Sequence, residues 1–221
     1  MRGRVGAVVL AAGNSSRLGR SKQLVDYEGF PLVARAARAA LKTGADPVVV
    51  VIGANAGAVA DALSGLPVIP VVNRQWNRGM GTSIATGVRA IIHHGSSIGA
   101  VLVMLADQPL VDEAVLGPLL DAWTEADETS SRGGATIAAA AYAETVGVPA
   151  IFGRAHFDAL CSLPMEAGAA RLLRQADARV HRVAMPEAAV DIDTPNDLEQ
   201  LCQGVAGIRG GPSDVDERSD L

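Results

Sequence analysis

Aromatic side chains are scarce: two Trp, two Tyr and three Phe among 221 residues. That is too few rings for a base-stacking nucleic-acid platform. Hydrophobic residues still make up 49%, so Ala, Val, Leu and Ile must build the core, and wholesale disorder is excluded. Basic charge is also short, with 19 Lys and Arg against 24 Asp and Glu and a net charge of −5. A general nucleic-acid or anionic-membrane surface is thereby excluded. The two cysteines, Cys161 and Cys202, have neither CxxC nor metal spacing and read as thiols of a reducing compartment. His93, His94, His156 and His181 are equally without ligand spacing. No apolar run reaches the roughly 18 residues of a membrane span. Residues 5–10 read as a strand and not as the apolar segment of a signal peptide, so the expected location is the cytoplasm. Neither G-x-x-x-x-G-K-[ST] nor G-x-G-x-x-G occurs, and no Ser-His-Asp or Cys-His constellation stands out.

What the chain does have is alternation. "VGAVVL" (5–10), "PVVVVIG" (47–53), "PVIPVVN" (67–73) and "GAVLVMLAD" (99–107) read as strands. The unbroken valines of the second suggest burial on both faces, as in a parallel sheet. Helical patterns separate them at residues 31–42, 55–64 and 82–93. A long helix follows at 111–126, with Asp112 as its N-cap. "ATIAAAAYA" (135–143) and "VGVPAIF" (146–152) are further strands, one of them expected antiparallel. Two short helices follow, then "RVHRVAM" and "AVDID" near the sheet edge and a capped helix start at "TPNDLEQL" (194–201). This order predicts βαβ units: a Rossmann-like three-layer α/β sandwich with a mostly parallel mixed sheet. One domain over residues 1–205 and a disordered tail over 206–221 are expected.

The first strand runs straight into "AAGNSSRLGRSK". In open α/β sheets ligands gather beyond the carboxyl ends of the strands. A glycine-containing loop there presents backbone N–H groups to an oxyanion. Arg17 adds a bidentate fork and Lys22 a point charge, as a polyphosphate requires. Asp107, at the end of the fourth strand, is a hard oxygen ligand facing the same crevice, suited to Mg²⁺. "NRGMGTS" (77–83) puts two glycines before a helix whose free N–H groups and Ser83 face the crevice. Asp191 and Asp193 alternate on the last short strand, so only one can face a metal. Asp193, next to the Thr194-Pro195 helix start, is the better placed of the two.

"LAAGNSSRLGRSKQL" (10–24) resembles the L-A-A-G-x-S-x-R-[ML]-G-x-x-K-x-L signature of the MobA-like nucleotidyltransferases, above all the molybdenum cofactor cytidylyltransferases. "NRQWNRGMGTSI", "LADQPLV" and "DIDTPNDL" support the likeness in the same order, over about residues 5–203. It implies the nucleotide-diphospho-sugar transferase type of fold. The implied reaction moves CMP from CTP to a phosphorylated acceptor, molybdopterin being the leading one, and releases pyrophosphate. It implies catalytic roles for Arg17, Lys22 and Asp107, and nucleotide contacts from Leu10, Ala11, Ala12, Gly13, Arg17, Lys22, Asn73, Gly79, Ser83 and Asp107. Asp107 and Asp193 would hold Mg²⁺, and a molybdoenzyme would be a protein partner. Ala12 stands where guanylyl-transferring relatives carry glycine, which favours a pyrimidine. "MEAGAARLL" (165–173) departs from the usual G-D-x-G-A-R: Glu166 keeps the acid, but Ala170 takes the arginine's place. Two other readings stay open: an NAD(P)H-dependent reductase of a pyridine pigment, and a molybdopterin carrier.

Overall fold

The computed structural model describes residues 4–14, 21–95, 97–130, 136–176 and 180–192, together with Asp197, Glu199 and Leu201. The expected tail, Arg17 and Asp193 lie outside the described residues. Nine strands are described: β1 (Arg4–Ala11), β2 (Asp26–Tyr27), β3 (Phe30–Pro31), β4 (Val48–Ile52), β5 (Ile69–Val72), β6 (Ile98–Leu105), β7 (Ile137–Tyr142), β8 (Thr145–Gly153) and β9 (Val180–Ala184). The described helices are α1 (Leu32–Lys42), α2 (Ala56–Ala62), α3 (Met80–His94), α4 (Glu113–Thr129), α5 (Phe157–Cys161) and α6 (Ala170–Ala176).

Seven strands form one sheet in the order β5-β4-β1-β6-β8-β7-β9. β8 runs antiparallel to both of its neighbours, and every other pairing in the sheet is parallel. This is the mixed sheet with one reversed member that the strand pattern predicts. Alternation along β1 sorts its side chains between two layers. Ala7, Val9 and Ala11 face α1, α2 and α4, through residues such as Val33, Val59, Leu116 and Trp123. Val8, Leu10 and Ala12 face α3, α5 and α6, through Ile84, Val88, Phe157 and Leu173. Helices on both faces of the sheet make three layers. The shortage of rings is met by close approach: a Cβ on Gly87 of α3 would fall 2.4 Å from a methyl of Val8.

Asp112 caps α4 as expected, its Oδ1 accepting from the Val115 N–H at 3.0 Å. Two features differ from the sequence reading. A two-stranded ribbon, β2-β3, lies outside the main sheet; its strands are two residues each, too short to show a period. And "AVDID" is no strand over its described part: residues 186–189 form a 3-10 turn, and Val190, Asp191 and Ile192 pair with no strand. Pro186 opens that turn, and proline favours a helical start over ladder pairing. Among the described residues no helix is long and apolar enough to cross a membrane.

Candidate active site

The carboxyl ends of β1 and β6 lie side by side, Leu10 in register with Leu105. Beyond them the Ala106 N–H donates to the Leu10 carbonyl at 3.1 Å, and the Ala54 N–H to the Ala12 carbonyl at 3.0 Å. A cleft of about 250 Å³ opens there. Leu10, Ala12, Leu105 and Ala106 line its apolar side, Trp76 and Met80 border it, and Gly13, Lys22, Gln23, Ser83 and Asp107 supply its polar groups.

Lys22 and Asp107 meet in this cleft as an ion pair between Nζ and Oδ2, their side chains 18% and 15% exposed. The other carboxylate oxygen, Asp107 Oδ1, is buried without a hydrogen-bond partner. A buried acceptor left bare is costly, and a hard cation is what such an oxygen accommodates. Among the described residues no cluster of three or more His, Cys, Asp or Glu forms a ready-made metal cage. Asp107 thus offers one bare, hard oxygen of the kind a divalent cation takes.

Several groups hold the turn that carries Asp107. The Ile192 N–H donates to the Asp107 carbonyl at 3.2 Å. Arg35 of α1 donates from Nη2 to the Pro109 carbonyl at 3.3 Å while pairing with Glu28 at 3.0 Å and lying over the Tyr27 ring. Gln108, 5% exposed, donates from Nε2 to the carbonyls of Val148 (3.2 Å) and Ala188 (2.7 Å). Nearby, the Tyr142 hydroxyl donates to the same Val148 carbonyl at 3.3 Å. Burial pushes that phenol above its usual value, and the charge of Asp191 adds to the rise.

The expected nucleotide residues divide. Leu10, Ala12, Gly13, Lys22, Ser83 and Asp107 reach the cleft. Ala11 buries its side chain in the opposite layer, so only its backbone is available. Asn73 is 3% exposed and spends its amide internally. Its Nδ2 donates to Thr82 Oγ1 and Ser83 Oγ at 2.8 and 2.9 Å, and its Oδ1 accepts from the Gln75 N–H at 2.9 Å. The start of α3 is not the row of free donors that its glycines suggest. The Gly81 N–H donates to the Met165 carbonyl at 2.9 Å and the Thr82 N–H to the Gly79 carbonyl at 3.2 Å. A Cβ on Gly79 would fall 2.5 Å from the Met165 carbonyl oxygen, and one on Gly81 2.2 Å from that of Pro164. These glycines admit the 164–168 segment, which brings the divergent "MEAG" stretch against the cleft's rim.

Sequence reasoning passed over Gln23. It is 3% exposed, donates from Nε2 to the Gly13 carbonyl at 2.8 Å and accepts from Ser21 Oγ at 2.7 Å. It thus ties together the two described ends of the basic loop. A polar residue one place past Lys22 carries no local signal of that bridge.

Known proteins share this chain's pattern across most of its length. It is 34% identical to nicotine blue oxidoreductase of Paenarthrobacter nicotinovorans over 89% of this chain and 96% of that one. It is 38% identical to the molybdenum cofactor guanylyltransferase of Rhodobacter capsulatus over 50% of this chain and 54% of the other. Among solved structures, Rv0371c of Mycobacterium tuberculosis superposes with a TM-score of 0.74 at 26% identity, over 92% of this chain and all of that one. The same mycobacterial protein has been solved in complex with manganese, with a TM-score of 0.67 at 26% identity over 90% of this chain and 98% of that one. The MobA-like NTP transferase domain matches over residues 7–181. A match that starts within the first strand and runs into the last spans the whole described sheet and the Lys22–Asp107 cleft, and the protein belongs to the MobA-like NTP transferase family.

Proposed function

We propose that the protein transfers CMP from CTP to a phosphorylated acceptor of the molybdopterin type. An acceptor phosphate oxygen attacks the α-phosphorus, the bond to the β-phosphate breaks, and pyrophosphate leaves. The observation that carries this reading is the Lys22–Asp107 pair at the strand ends, with Asp107 Oδ1 buried and unpartnered. The acceptor class draws support from the guanylyltransferase relative, whose name gives the molybdenum cofactor.

Each residue then has a task. Asp107 would hold Mg²⁺, which supplies neutralisation of the charge that builds on the phosphates. Asp193 is proposed as the second acid on the strength of the D-T-P pattern. Lys22 and Arg17 offer positive charge to the departing pyrophosphate, where fixed charges act most strongly. Gly13 presents backbone to the phosphates. Leu10 and Ala12 form the floor, Ala11 contributing backbone alone, with the methyl of Ala12 narrowing the space for the base. Ser83, which lines the cleft, is proposed to contact base or ribose. Asn73 and Gly79 act indirectly by fixing the start of α3.

The test is to supply each of the four NTPs with Mg²⁺ and molybdopterin and to measure pyrophosphate. CTP should exceed GTP by at least about tenfold in kcat/KM, roughly 1.4 kcal/mol, which one steric contact can supply. Equal use of GTP would overturn the base assignment. A second reading is favoured by one observation, the 34% identity to nicotine blue oxidoreductase along nearly the whole of both chains. NAD(P)H absorbance followed in parallel separates the two. Oxidation of NAD(P)H by a pyridine pigment without pyrophosphate release would replace transfer by reduction. Silence in both assays, with molybdopterin retained by the protein, would leave the carrier.

A further inference from the structure

Gln108 follows Asp107 directly, yet its side chain takes no part in the cleft. Its amide is buried and lies between two carbonyl oxygens, those of Val148 on β8 and Ala188 in the 186–189 turn. Only an NH₂ can donate to both, so the orientation of the amide is settled by chemistry. The cost is visible at the other end, where Gln108 Oε1 is buried without a partner. A structure that bears this cost on one atom gains two bridges from the other. The first reaches Ala188. Four residues later the chain returns, and the Ile192 N–H donates to the Asp107 carbonyl. The Asp107–Gln108 turn and residues 188–192 are therefore joined at two points. The second bridge, to Val148, ties this assembly to the reversed strand of the sheet.

We infer that Gln108 is a positioning residue for the metal-binding carboxylate: its amide staples the 188–192 segment to the Asp107 turn and fixes the direction in which Asp107 presents its free oxygen. The inference rests on the proposed metal role of Asp107. Groups in the outer shell that orient a ligand commonly change metal affinity by about 10- to 100-fold when removed. Gln108→Leu keeps the bulk of the side chain and removes both donors. Gln108→Glu keeps the shape but places a carboxylate oxygen against two carbonyl oxygens, and should resemble Gln108→Leu. Tyr142→Phe is the control. It removes the neighbouring donor to the Val148 carbonyl and leaves the staple in place.

The experiment uses the full chain and Mn²⁺ in the presence of CTP, with the free ion followed by electron paramagnetic resonance. Hydrogen exchange of the Ile192 amide is measured on the same samples. Expected for Gln108→Leu are loss of Ile192 protection and a Mn²⁺ midpoint raised about tenfold, with CTP affinity without metal unchanged. Tyr142→Phe should lower the melting temperature and move neither the midpoint nor Ile192. An unshifted midpoint in folded Gln108→Leu overturns the inference, as does a shifted midpoint with Ile192 still protected, or an equal shift in Tyr142→Phe. Wild-type protein that binds no Mn²⁺ would instead overturn the metal role of Asp107 itself, and this inference with it.

Discussion

Two glycine-bearing segments border the cleft, and they use their backbones in opposite ways. The segment after β1 brings Gly13 and Lys22 to the cleft, its described ends bridged by Gln23. The segment that opens α3 turns inward: the Gly81 N–H is taken by the Met165 carbonyl, and Gly79 and Gly81 leave no room for a Cβ beside the 164–168 segment. The same residue type thus opens onto the cleft in one place and admits a packed segment in the other. Glycines before a helix are compatible with either role, and only the neighbour of the missing Cβ tells them apart.

The largest expected effect falls on the first segment. Lys22→Ala should cut turnover by about 10²–10³, the usual loss when a fixed transition-state charge is removed. The pair is mostly buried, so removing Lys22 also strands the Asp107 carboxylate and should lower the melting temperature as well. Steady-state pyrophosphate release and a thermal melt check both. A collapse of the melt with normal activity per folded molecule would make Lys22 structural and erase the contrast. Next comes Gly81→Ala. Its Cβ would meet the Pro164 backbone, and overpacking of this kind costs about 1–3 kcal/mol. The melt should drop and proteolysis near residues 164–168 should quicken, while the Mn²⁺ midpoint stays put. A stable Gly81→Ala that had lost nucleotide binding would show that the start of α3 is a second phosphate cradle. The smallest effect belongs to Gln23→Ala, which removes the bridge across the basic loop. About 0.5–1.5 kcal/mol of stability should go with it, together with a rise in KM for CTP larger than any fall in kcat. An unchanged KM would mean that the bridge does not shape the loop.

The strands were readable because valine-rich runs and their spacing report burial directly, and Asp112 announced the start of α4. The cleft was readable in outline, since Asp107 stands just past one strand, Lys22 closes the loop that follows another, and parallel neighbours bring such ends together. The side chain of Ala11 could have been assigned to the far layer from alternation alone, given Leu10 and Ala12 on either side. Other features had no local signal. Gln108 and Gln23 act across 80 and 10 residues respectively, through bonds to backbone carbonyls that any side-chain donor of similar reach can make. The turn at 186–189 displaced an expected strand because the alternation of "AVDID" is also what an exposed Asp191 beside a buried Ile192 produces just after a turn.

The central position of β1 bears on how the chain is made. Arg4–Ala11 leaves the ribosome ahead of every other strand, yet it sits between β4 and β6 and pairs along both edges. One of those edges stays open until Ile98–Leu105 has been synthesised, on the order of ten seconds at common elongation rates. For that interval the nascent chain displays a valine-rich edge, uncharged past Arg4, of the kind that templates unwanted pairing. Nor can a ligand rescue it. Lys22 has no Asp107 to meet until the same strand is complete, and the Asp107 carbonyl waits for Ile192. Nucleotide can stabilise the finished protein by mass action but gives nothing to a partial one. Interrupted translation should therefore yield insoluble fragments even when nucleotide is abundant.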